Sequence, residues 1–154
     1  VERRDATASL ERARVHARVQ HVLLDGDVAG GINAARYESR IDMCVGTGGS
    51  PEGIVTACAI KALGGFIQTM MAPKDEAEAA RGIAAGLKMN HVYTADELVS
   101  SDNTFFVATG VTDGGLLQGV RKKGPVILAQ SLVIRGKTGT VRHVNSEYLA
   151  DRWL

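Results

Sequence analysis

Gly46-Thr47-Gly48-Gly49-Ser50-Pro51-Glu52-Gly53 decides how this chain is read. A short apolar run, Ile41 to Val45, precedes it, and a helix-like run, Ile54 to Leu63, follows it. A strand, a glycine turn and a helix start are therefore expected to meet here. Gly46, Gly48 and Gly49 let backbone N–H groups approach a ligand closely. Ser50 suits the N-cap, and Pro51 the first helical position. Free N–H groups and a helix dipole both favour negative charge, so the turn reads as an anion cradle. Glu52 adds a carboxylate beside it, which repels a phosphate unless a cation lies between them. Turn and Glu52 together point to a phosphate held with a divalent metal. The bland alternative is a glycine turn with ordinary dipole complementation by Glu52.

Two better-known phosphate motifs fail. The dinucleotide fingerprint G-x-G-x-x-G needs glycine where Pro51 stands. Gly136-Lys137-Thr138 looks like the end of a P-loop, but that motif needs glycine at Ser131 and a helix after the Thr. Thr140 to Val144 reads as a strand instead.

The chain has 154 residues, enough for one domain with a real core. Apolar content of 45% and charged content of 23% are those of an ordinary globular protein. A net charge of +1 gives no bulk field for nucleic acid or membrane, and no transmembrane run is present. Basic residues cluster at Arg3, Arg4, Arg12, Arg14 and Arg18, and again at Arg121 to Lys123. Such runs are solvated surface by default and phosphate-binding at their sharpest. Cys44 and Cys58 lie in apolar segments and read as small core residues in a reducing compartment. No metal-ligand spacing links them to His16, His21, His91 or His143.

Along the chain, helices are expected over 6–18, 28–37, 52–63 and 74–87, with a helical turn over 95–99. Strands are expected over 21–24, 40–45, 66–71 and 104–109, with a closing pair over 126–134 and 140–144. Strands alternate with helices over the first two thirds, which argues α/β with substantial parallel pairing. Ligands gather at the carboxyl ends of strands in such sheets. Three polar turns are expected there: Asp25 to Asp27, Gly46 to Gly53, and Gly110 to Gly115. Asp25-Gly26-Asp27 alone reads as a tight Asx-type turn. Its two carboxylates can also accept sugar hydroxyls or bind a cation. The Thr112-Asp113-Gly114-Gly115 turn reads as structural.

These segments, in this order, resemble the second half of class II fructose-1,6-bisphosphatase. The matching stretches are Asp25 to Gly30, the glycine turn through Gly53, and Ala108-Thr109-Gly110-Val111-Thr112-Asp113-Gly114. Ser131-Leu132-Val133 and Lys137-Thr138-Gly139-Thr140-Val141-Arg142 complete the set. The resemblance implies a cytoplasmic, metal-dependent sugar phosphatase of gluconeogenesis, using Mn²⁺ or Mg²⁺ and forming a homo-oligomer at full length. Its substrate would be fructose 1,6-bisphosphate, cleaved at the 1-phosphate; some members also take sedoheptulose 1,7-bisphosphate. The implied fold is the layered α/β/α/β/α sandwich of inositol monophosphatase-like enzymes, second half only. By resemblance, Asp25, Gly26, Asp27 and Gly49 contact substrate, and Glu52 is a divalent metal ligand. The family also has an Asp-Arg-Pro-Arg-His segment that holds the distal phosphate. Arg3 matches its first arginine; its second is Arg4, displaced by one residue, or is replaced by Asp5.

The resemblance further implies that residues 1–154 are the carboxyl-terminal half of such an enzyme, without the amino-terminal half. That half supplies most metal ligands and the Thr that positions the attacking water. No catalytic residue is expected in this half, and the segment alone is expected to be inactive, with apolar surface exposed. The alternative functions are a non-catalytic sugar-phosphate binding or regulatory module, and a fragment that docks with a separate amino-terminal half.

Overall fold

The structure, a computed structural model, describes residues 26–152. The expected helix over 6–18, the strand over 21–24 and the candidate residues Arg3, Arg4 and Asp25 lie outside those residues. The described chain is α/β, with two small antiparallel sheets.

Helix α1 spans Asp27–Ala35. Its N-cap, Gly26, has φ 92°, a left-handed conformation that a Cβ would penalise. Helix α2 spans Ser50–Ala62. Its N-cap is Gly49 rather than Ser50; Gly49 takes the extended cap conformation, so the cap lies one residue, and the helix start two residues, before the expected positions. Gly64, at φ +71°, ends the helix: Gly65 N donates to Ile60 O at 2.9 Å and Gly64 N to Lys61 O at 3.0 Å, a Schellman stop.

The two helices pack through small residues. A Cβ on Gly31 would lie 2.6 Å from Thr56 Cγ2, and one on Gly65 would lie 2.9 Å from Ala35 Cβ. Glycine lowers the stability of α1 as an isolated helix, yet at position 31 it sets how closely α1 approaches α2.

Strand β1 (Gln68–Met70), helix α3 (Glu76–Ala84), strand β2 (Val92–Thr94) and the short helix α4 (Ala95–Leu98) follow. β1 and β2 pair antiparallel. Asp75 caps α3 by accepting from Glu78 N at 2.7 Å. At α4, Glu97 accepts from Thr94 N at 2.9 Å and contacts His91 Nε2 at 2.6 Å. The Thr94 N–H, then the His91 ring, hold the Glu97 carboxyl down at about 2.

The larger sheet is built on β5 (Val126–Arg135). β6 (Thr140–Leu149) pairs along one edge; β3 (Phe105–Thr109) and β4 (Arg121–Lys123) share the other. Leu132 and Ile134 of β5 and Phe106 of β3 point toward the helices and pack with Ile32, Ala59, Ala62 and Leu117. Phe105 and Val107 face the other way and are 60% and 64% exposed.

Three expectations fail. Residues 40–45 form no strand. A strand needs a partner for its N–H and C=O groups, and among the described residues no strand pairs with 40–45. No described pairing is parallel; for two of them a short reversal dictates this, since Gly124-Pro125 links β4 to β5 and residues 136–139 link β5 to β6. Cys44 is exposed rather than core, since it lies on that irregular segment; Cys58 is half-buried. β2 and β4, each three residues long, were not expected. The exclusion of a P-loop holds: Gly136–Thr138 is a 3₁₀ turn within the hairpin.

Replacing Gly31 by Ala gains about 1 kcal/mol of helix propensity against about 1–3 kcal/mol for overpacking on Thr56. Urea denaturation should therefore show a net loss, and a more stable variant would mean that the contact is soft. Glu97 generates a pH prediction. A carboxyl lowered on folding contributes stability that is fully present above its unfolded value near 4.5 and is lost as pH falls toward 2. Hydrogen exchange at β2 and α4 should accelerate across that window, and Glu97→Gln should flatten the response.

Candidate functional site

The glycine turn and the start of α1 come together. Asp27 is the first residue of α1, and its carboxylate reaches across to the turn: Oδ2 would be 2.6 Å from a Cβ on Gly48. The Glu52 carboxylate folds back over Gly49 so closely that Oε2 would overlap a Cβ there. In this arrangement each carboxylate lies directly over a glycine, and a Cβ at either position would displace it.

α1 and α2 run side by side in the same direction. Asp27 lies by Gly48 at their beginnings, Gly31 by Thr56 midway, and Ala35 by Gly65 at their ends. Both amino termini, each with free N–H groups and a partial positive charge, thus sit at one place. Asp27 and Glu52 are the acidic residues of the two first turns. Asp27, Gly48, Gly49 and Glu52 are exposed, so a ligand has access. Although residue 44 is exposed as a whole, partial desolvation of its thiol, then the charge on Asp27, raises the thiol from its ordinary value.

The expected convergence of three turns reduces to two. The loop from Gly110 to Gly119 lies further along α1, where Asn33 Nδ2 donates to Gly115 O at 3.3 Å. Its polar groups serve its own shape: Gly119 N donates to Asp113 Oδ1 at 2.8 Å and Gly114 N to Leu117 O at 3.0 Å. Asp113 is a structural residue, as the sequence suggests. The basic run at Arg121–Lys123 forms exposed β4, away from the turn in the fold.

Among the described residues, no group of three His, Cys, Asp or Glu side chains is placed to hold a metal ion. Hard divalent cations take about six oxygen ligands. Glu52 and Asp27 fit such a site as a share of it, not as the whole.

Sequence reasoning missed one charged cluster. Lys61, in the last turn of α2, has its Nζ 2.7 Å from Val99 O and 3.0 Å from both Asp96 and Asp102. Hydrogen bonds to Asp96 and then Asp102 raise its pKa. The ammonium ties α2 to α4 and to the approach to β3. A depression of about 520 Å³ opens beside it, lined by Lys61, Phe66, Thr94, Asp96 and Asp102. None of the described sequence-derived site residues, Gly26, Asp27, Gly49 and Glu52, lines that depression. No spacing in the sequence signals this cluster, because its members come from three separate segments.

A family model of bacterial, glpX-encoded fructose-1,6-bisphosphatase matches residues 2–148. The chain belongs to that family. Class 2 fructose-1,6-bisphosphatase of Haemophilus influenzae is 38% identical over 140 residues, covering 82% of this chain and 42% of that protein. Fructose-1,6-bisphosphatase 1 class 2 of Escherichia coli K12 is 38% identical over 141 residues, covering 83% of this chain and 42% of its own length. This fructose-1,6-bisphosphatase family member thus spans about 42% of the length of the curated relatives it matches. No helix among its described residues is long and apolar enough to cross a membrane.

Proposed function

We propose that this chain is the substrate-contacting, carboxyl-terminal part of a class II fructose-1,6-bisphosphatase. The reaction is hydrolysis of the 1-phosphate of fructose 1,6-bisphosphate to fructose 6-phosphate and phosphate, a step of gluconeogenesis in the cytoplasm. Sedoheptulose 1,7-bisphosphate is the second substrate to test. The observation that carries the reading is the meeting of Asp27 and Glu52 over Gly48 and Gly49 at two helix amino termini.

Each residue has a role in this reading. Asp25 and Asp27 accept hydrogen bonds from sugar hydroxyls and orient the ring, with Gly26 shaping the turn. Gly49 brings backbone against the substrate. Arg3 and Arg4 hold the distal phosphate, with Arg4 or Asp5 at the second position. Glu52 is one ligand of a divalent cation, Mn²⁺ or Mg²⁺, which would polarise the phosphoryl group and activate water when bound. The remaining ligands and the residue that positions water would come from the amino-terminal half of a complete family chain, within the layered α/β/α/β/α sandwich of inositol monophosphatase-like enzymes. The incomplete ligand set around Glu52 favours one second reading, a sugar-phosphate binding module without turnover.

Residues 1–154 alone, assayed with fructose 1,6-bisphosphate and either Mn²⁺ or Mg²⁺, should release no phosphate above background. In a full-length protein carrying this segment, Glu52→Gln should weaken metal activation and strongly reduce turnover with the fold intact. Near-native turnover at limiting metal would remove Glu52 from the site.

Asp27→Ala in the same protein should cost about 1.5–3 kcal/mol on the sugar bisphosphate. It should cost less on a small generic phosphate ester that lacks the hydroxyls. Equal losses on both substrates would favour a structural turn.

A further inference from the structure

We propose that the depression between the end of α1, the turn that follows it and the Gly115 loop is a second anion site, which takes a phosphoryl group, free or as a monoester. The inference is independent of the catalytic reading. The depression has a volume of about 370 Å³, near the lower end of the range for small-ligand sites, about 300–1,000 Å³. No residue from Gly46 to Gly53 lines it. Three other segments do: Asn33 and Arg36 at the end of α1, Glu38, Ser39 and Arg40 in the turn, and Gly115 in the loop.

The local structure brings the two arginines together. Arg36 is the C-cap of α1, and Ser39 N donates to Arg36 O at 3.1 Å, which closes a tight turn. That turn sets Arg40 on the same depression as Arg36. A cation at a helix carboxyl end is ordinary dipole complementation, so Arg36 alone needs no ligand. Arg40 lies outside the helix, where that account does not reach. Among the described residues, no carboxylate forms an ion pair with either guanidinium, not even Glu38 beside them.

The donors are held rather than free to swing. Arg36 Nη2 lies 3.2 Å from His143 Nε2, and Asn33 Nδ2 donates to Gly115 O at 3.3 Å. Those bonds leave the Arg36 Nε and Nη1 hydrogens and the second Asn33 amide hydrogen. Ser39 Oγ accepts from Ile41 N at 3.1 Å, so its own hydrogen is left to donate. Guanidinium forks match phosphate oxygens bidentately, and a phosphoryl group presents three terminal oxygens to donors arriving from different segments. A carboxylate presents two, in one plane. Residues 36–49 then lead from Arg36, at the carboxyl end of α1, to Gly48 beside Asp27 at its amino end. An anion on Arg36 and Arg40 thus tethers one end of the irregular segment whose other end is the glycine turn.

The test uses residues 1–154 in EDTA, because without a cation Glu52 repels phosphate from the glycine turn. Titration with inorganic phosphate and with phenyl phosphate, at constant ionic strength, should shift the backbone amide resonances of Ser39, Arg40 and Gly115 along a saturable curve. Those of Gly48 and Gly49 should move much less. Acetate should bind about tenfold more weakly. Arg36→Ala would also disturb the α1 cap and His143, so Arg40 carries the test. Arg40→Ala should weaken phosphate binding about tenfold or more, and Glu38→Gln should tighten it. Lys122→Ala, which removes the same charge from exposed β4, should leave it unchanged. Circular dichroism checks the fold of each variant. The tighter of the two phosphates names the source of the ligand. No saturable binding, binding indifferent to Arg40→Ala, an equal loss in Lys122→Ala, or shifts centred on Gly48 and Gly49 would overturn the proposal.

Discussion

Close approach of two helix backbones at Gly31 and Thr56 is the constraint on which the candidate site depends. It lets α1 and α2 lie side by side in one direction, and so brings their two amino termini together. Parallel dipoles repel, and the amino-terminal ends concentrate that repulsion in one place. Asp27 and Glu52 offset it by placing a carboxylate on each first turn. The same arrangement that makes the helix pair tolerable therefore prepares a place where anionic and cationic groups can alternate. Thr56 contributes again: its hydroxyl donates to Glu52 O at 2.8 Å, which fixes the rotamer that Gly31 packs against.

Local signals in the sequence located most of the elements. An Ala- and Glu-rich run from Lys74 gives α3, Gly64-Gly65 stops α2, and apolar segments on either side of Gly136 give the β5–β6 hairpin. Non-local facts were harder to read. Nothing near Ile41 to Val45 says that this apolar run finds no partner strand among the described residues. Nothing near Ser50 says that Gly49 takes the cap. β2 and β4, three residues each, carry too few side chains for a period to show. Parallel pairing was inferred from the order of elements, whereas β4, β5 and β6 are joined by turns too short to allow anything but reversal. At the site, Gly48, Gly49 and Glu52 were legible as a glycine turn before a helix. The Lys61 cluster was not, because it depends on the packing of segments distant in sequence.

The larger sheet is unequally covered. Its helix side holds the core of Ile32, Phe106, Leu132 and Ile134. On its other side Arg135 lies 5.3 Å from the centroid of exposed Phe105, a cation over an aromatic ring rather than a packed layer. The exposed apolar residues anticipated from the sequence are thus real, and they include this outer face as well as Met43 and Val45 on the irregular segment.

Chain order gives the core a temporal consequence. The helices come first and the strands that bury them come last: 70 residues separate Ala62 of α2 from Leu132 of β5. At ribosomal speeds of about 5–20 residues per second, that gap lasts roughly 4–14 s. Until Phe106 and Leu117 emerge within that interval, the apolar side of α1 and α2 has been synthesised without its cover. Ala57, Ala59 and Ala62 offer little greasy area during that wait, which leaves Ile32 and Ile60 as the large apolar side chains exposed. A small-residue helix face is thus suited to a chain whose sheet arrives late, since it gives other nascent chains and chaperones little to hold.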